Sequence, residues 1–146
     1  MIEHKYIISV LDKQFYKIDL IVSEIKGLLP ITNEDMEDIN KIKTIDSFIF
    51  RFGKIQDIMG EKLFPAFLEY TQEYNTSMSL LDVLHKLEKL GLLNTDEWIK
   101  IRQIRNIMTH EYPDNDDEII ATISSALEYF EIMKNIYKLI NKNWAE

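Results

Sequence analysis

Apolar residues in this chain recur every three or four positions and never alternate over the length of a strand. That spacing places them on one stripe of an α-helix and scatters them over both faces of any sheet. Ile7, Leu11, Phe15, Ile18, Val22 and Ile25 form the first stripe, ended by Gly27 and Pro30. Ile119, Ile123, Ala126, Phe130, Met133, Tyr137 and Ile140 form the last. Only four Gly and three Pro interrupt the 146 residues, so long helices have room to run. The expectation is an all-α, up-and-down bundle of four to six helices. With 46% hydrophobic and 29% charged residues, the chain has material for one core, and residues 1–146 read as a single domain.

Between these two helices the punctuation is local. Thr32 or Asn33 opens a second helix, with Glu34, Asp35, Glu37 and Asp38 placing negative charge at the positive end of its dipole. Its stripe runs through Ile42, Ile45, Phe48, Ile49, Phe52, Ile55, Met59 and Leu63. Pro65 lacks an amide hydrogen and crowds the turn before it, which predicts a kink or break within 60–65. Residues 71–78 read as the longest loop. Ser79 with Asp82 has the form of a capping box for a helix over 80–90 that Gly91 ends. Asn94 with Glu97 opens the next helix, over 95–110, because Pro113 biases Tyr112 away from helical geometry. The acidic run of Asp114, Asp116, Asp117 and Glu118 reads as cap and dipole residues of the last helix, not as a metal site.

A net charge of −8 and a pI near 4.9 argue against a general wrapper of nucleic acid, so any nucleic acid must meet a local basic patch. No cysteine is present, which removes disulfides, thiolate metal sites and a thiol nucleophile. Charges interrupt every apolar run well short of the ~18 residues of a membrane span. A soluble protein of the cytoplasm is expected, with no membrane contact. His4, in a terminus expected to fray, and His85 receive no role. Arg51 and Lys54 are read as stems laid along the core edge, able to widen a basic cleft if their helix packs beside the 95–110 helix.

One stretch departs from amphipathic filler. Residues 105–112, RNIMTHEY, gather Arg105, Asn106, His110 and Tyr112 at a helix end. Arg102, Asn106 and His110 are spaced by four along one polar edge, whereas Arg105 points ~140° away from His110 in an ideal helix. Two routes unite them: loosening of the last turn, or two copies of the helix meeting about a twofold axis. Together with Lys100, the two arginines make a basic spot on an acidic chain. Imidazole, with a pKa of about 6.5, can accept the proton of a ribose 2′-hydroxyl and return it to a leaving oxygen. A guanidinium can grip the phosphate between its two prongs and stabilise the charge that gathers there. Such chemistry requires no metal and no cofactor.

These residues resemble the R-x4-6-H signature of HEPN domains, in the R-x4-H-x-Y form found in HepT-like toxins. The resemblance extends to an all-α domain of this length with the motif late and one long helix after it. It implies a homodimer with the motif-bearing helices face to face, acting as a metal-independent endoribonuclease. Arg105 and His110 would be the catalytic pair, with Asn106 and Arg102 as supporting, RNA-binding groups. Tyr112 would be the residue that a nucleotidyltransferase antitoxin of the MntA type modifies with AMP, as in type VII toxin–antitoxin systems. A second branch implied by the same motif is a non-catalytic subunit that binds a nucleotide or the nucleotidyltransferase.

Overall fold

The computed structural model describes residues 2–110 and 115–144. Within them every regular element is helical, with no strand: α1 (Ile2–Lys26), α2 (Ile39–Ile58), α3 (Phe64–Tyr70), α4 (Leu80–Lys89), α5 (Thr95–Thr109) and α6 (Asp116–Lys142). A 3-10 turn at Asp35–Glu37 precedes α2, and a π turn at Met59–Leu63 joins α2 to α3. This is the all-α bundle that the apolar spacing predicts. No helix among the described residues is long and apolar enough to cross a membrane.

The main packing partners are α1 with α2, α2 with α5, and α5 with α6. Side chains bridge α6 to α1: Phe15 stacks on Tyr137, and Lys134 pairs with Asp19 at 2.9 Å. The Tyr137 hydroxyl donates to Asp12 at 2.6 Å. Burial, followed by this bond to a carboxylate, pushes the phenol well above its ordinary pKa, so it stays protonated. Every member of the predicted α1 and α6 stripes is buried. Phe48, Phe52, Phe64, Phe130 and Trp98 are among the largest side chains wholly removed from water, and aromatics of this size dominate core energetics.

The caps fall largely where the sequence puts them. Ser79 and Asp82 form a reciprocal capping box, Asn94 accepts from the Glu97 amide at 3.0 Å, and Gly91 takes φ +78° after α4. Asn115 caps α6, with Asp116, Asp117 and Glu118 in its first turn. Glu88 reaches from α4 to accept the Thr95 amide at 2.6 Å, tying the starts and ends of consecutive helices.

Three expectations need correction. α2 begins at Ile39 rather than near Thr32, because Asp38 caps it through the Asn40 and Lys41 amides. Thr32 and Asp35 bond each other reciprocally and close a separate 3-10 turn. Pro65 does not break the helix: the wide π turn shifts the hydrogen-bond register, leaving Pro65 in the first turn of α3, where no donor is required. His4 is not frayed but 9% exposed, with its ring stacked on Trp144 at 3.9 Å and 8°.

Two predictions follow from these contacts. Phe52→Ala is expected to cost about 3–5 kcal/mol in urea unfolding, and an unchanged midpoint would contradict the core assignment. The carboxylates of Asp82 and Glu88 are held below their ordinary range chiefly by backbone amides. Their contribution to stability is therefore complete at neutral pH and fades as pH falls through the lowered folded-state values. The double variant Asp82→Asn, Glu88→Gln should flatten the acid limb of the stability–pH curve, and an unaltered limb would sink this assignment.

Candidate functional site at the end of helix 5

α5 presents two faces for reasons visible in its sequence. Trp98, Ile101, Ile104 and Met108 are buried, which leaves Arg102, Asn106 and His110 exposed along one edge. Arg105 lies between these faces with a side chain 16% exposed. His110 is the C-cap: its backbone stays in the right-handed helical region at φ −108°, ψ −25°, and its amide still donates to the Asn106 carbonyl at 2.9 Å.

The long Arg105 side chain covers the remaining angle. Its Nη1 lies in hydrogen-bond contact with His110 Nε2 and 3.5 Å from Asn106 Oδ1. A guanidinium only donates, so a hydrogen bond between the two requires Nε2 as the acceptor and the ring proton on Nδ1. The pair meets within one chain, through the reach of the arginine side chain. No symmetry mate is required to bring cation and imidazole together.

α2 supplies what sequence reasoning missed. Asp57 Oδ2 accepts from Arg105 Nη2 at 2.7 Å and holds the guanidinium from the side opposite His110. Four residues earlier, buried Gly53 makes room for the arginine stem: a Cβ there would lie 3.6 Å from Arg105 Cγ and Nε, and 3.5 Å from Thr109 Oγ1. The recoverable signal was the spacing of Gly53, Asp57 and Gly60, which interrupts a Phe- and Ile-rich stripe at helical intervals on one face.

Two depressions flank Arg105. One, of about 420 Å³, has Arg102, Arg105 and Asn106 on one wall and Gln56, Asp57 and Gly60 on the other. The second, of about 380 Å³, is lined by Phe50, Gly53, Lys54, Asp57, Arg105 and Thr109. Lys54 thus joins the site as expected, whereas Arg51 is directed to α1, donating to Gln14 at 3.0 Å. The basic spot is tempered by Asp57 and Glu61 in its wall. His85 lies elsewhere, in a cavity formed by α4 and the 71–79 loop. Tyr112, the expected modification target, falls outside the described residues.

No family model, curated protein or solved structure matches the chain. An exposed imidazole with its basic nitrogen beside a half-sheltered guanidinium can accept a proton next to a bound anion, and Asn106 adds an amide to the same edge.

Gly53 offers a direct check on this geometry. Gly53→Ala should be tolerated, since its Cβ meets only ordinary contacts. Gly53→Leu should displace Arg105 and abolish the Arg105–His110 contact, seen as a change in the His110 ring resonances. Identical His110 resonances in wild type and Gly53→Leu would contradict the placement of the arginine stem.

Proposed function

We propose that this chain is a metal-independent endoribonuclease toxin of the HepT kind, belonging to a type VII toxin–antitoxin system. The observation that carries the reading is the Arg105–His110 contact at the exposed end of α5, with Asn106 beside it. It unites the R-x4-H residues in one chain.

Arg105 holds the scissile phosphate and stabilises the charge that builds on its oxygens. The phosphate draws Arg105 Nη1 away from His110, which frees the Nε2 lone pair to take the ribose 2′-hydroxyl proton as the 2′-oxygen attacks phosphorus. The bond from phosphorus to the 5′-oxygen breaks, and the imidazolium returns its proton to that oxygen. The products are a 2′,3′-cyclic phosphate and a 5′-hydroxyl, and the imidazole ends neutral. Asn106 and Arg102 steady the neighbouring RNA backbone. Asp57 keeps the guanidinium aimed before RNA arrives.

The active form in this reading is a homodimer with the two α5 ends facing each other. A nucleotidyltransferase antitoxin of the MntA type silences it by placing AMP on Tyr112, two residues beyond His110, where added phosphate and bulk exclude RNA. The second reading, a non-catalytic subunit that binds a nucleotide or the nucleotidyltransferase, is favoured by one observation. Asp57 already occupies one prong of Arg105.

RNA cleavage by the purified protein separates the two. His110→Ala should lower the rate by about 10²–10⁴-fold, with wild-type cleavage insensitive to chelator and ending in cyclic phosphate. Arg105→Lys should not retain activity, because an ammonium lacks the planar fork that bonds Asp57 through one nitrogen while the other meets the phosphate. Cleavage unchanged in His110→Ala would overturn the catalytic reading, and wild-type protein that binds nucleotide without cleaving RNA would favour the second.

A further inference from the structure

The π turn at Met59–Leu63 is the one irregular turn in the helical run from α2 to α3, and π turns gather at functional positions. Here it faces the Arg102–Arg105–Asn106 edge of α5 across the 420 Å³ groove. That volume falls within the range of small-molecule sites, about 300–1,000 Å³. Tyr74 and Met78, from the loop before α4, line the same groove.

Gly60, on this turn, forms a notch in the groove wall. A Cβ there would lie 3.6 Å from Gln56 Nε2, 3.7 Å from Trp98 Cζ2 and 3.9 Å from Trp98 Nε1. Trp98 is fully buried, and its indole N–H has no acceptor among the described residues. Trp98 thus forms the floor behind Gly60 and is not itself open to the groove. Gln56, only 5% exposed, lines the groove beside it.

We infer that this groove is a nucleobase subsite, taking the base of the nucleotide whose phosphate rests on Arg105. The inference builds on the reading of Arg105 as the phosphate-holding group. Charge selects the ligand class. Arg102 and Arg105 suit a phosphate, but Asp57 and Glu61 in the same walls repel a ligand that is anionic throughout. A nucleotide meets both demands, since its base is neutral and carries N–H donors for the carboxylates and ring or carbonyl acceptors for the Gln56 amide. Tyr74 supplies a face for stacking, and Met78 a soft apolar contact.

The test is equilibrium binding of the four nucleoside 3′-monophosphates and of inorganic phosphate to the intact protein. Wild type is expected to bind at least one nucleotide about ten-fold more tightly than phosphate, as base stacking allows. Gly60→Ala, which fits sterically and favours helix, should fill the notch and weaken nucleotide binding roughly ten-fold. Tyr74→Ala should do the same through lost stacking, while Arg105→Ala loses nucleotide and phosphate together. Phosphate affinity should be unchanged in the Gly60 and Tyr74 variants, and their melting temperatures report that they remain folded. Nucleotide binding no tighter than phosphate, or unaltered by both groove variants, overturns the inference. This readout does not depend on cleavage: a protein that fails to cut RNA but shows the expected binding pattern loses the nuclease reading and keeps the subsite, and the reverse pattern does the opposite.

Discussion

The contact between α2 and α5 carries the rest of the arrangement, because it brings an acidic residue from one helix against an arginine near the exposed end of another. Two helices packed through Phe and Ile side chains would ordinarily leave a surface arginine free to wander in water. Gly53 removes bulk where the arginine stem crosses α2, and Asp57 bonds the guanidinium at 2.7 Å. The cation is thereby held on the α2 side, with its other terminal nitrogen against His110. An ion pair with one partner 38% exposed adds little to folding stability, so its consequence is orientation. Less of the cost of ordering the side chain then remains to be met when an anion binds.

Local charge, not overall charge, governs what this surface can accept. The chain carries a net −8, which steers polyanions away at long range. Two of its three arginines nevertheless sit on one end of α5, with Lys54 nearby. Asp57 and Glu61 break that positive patch into a small cationic point bordered by carboxylates. The π turn contributes Gly60 and Glu61 to the same wall.

What the sequence revealed divides along the line between local and non-local physics. The stripes of α1 and α6 were readable to the residue, since helical periodicity is fixed by neighbours in the chain. The Ser79, Asn94 and Gly91 signals were readable for the same reason. The start of α2 was not, because Thr32 and Asp38 are both good caps and both are used, one for a 3-10 turn and one for the helix. Asp57 was invisible as a partner of Arg105: the two are 48 positions apart, and nothing in either segment announces which helices will pack. The union of Arg105 with His110 in one chain was one of two routes open on ideal-helix angles. Those angles take no account of the reach of an arginine side chain.

The most direct test of this account is the nitrogen spectrum of the His110 ring, recorded at about pH 8.5, where an ordinary histidine is neutral. If Arg105 donates to Nε2, wild type should show the ring proton on Nδ1, opposite to the form that free imidazole side chains prefer. Arg105→Ala should then return it to Nε2. A ring that carries its proton on Nε2 in wild type, with the same spectrum in Arg105→Ala, would show that the two groups do not meet and would remove the foundation of the site.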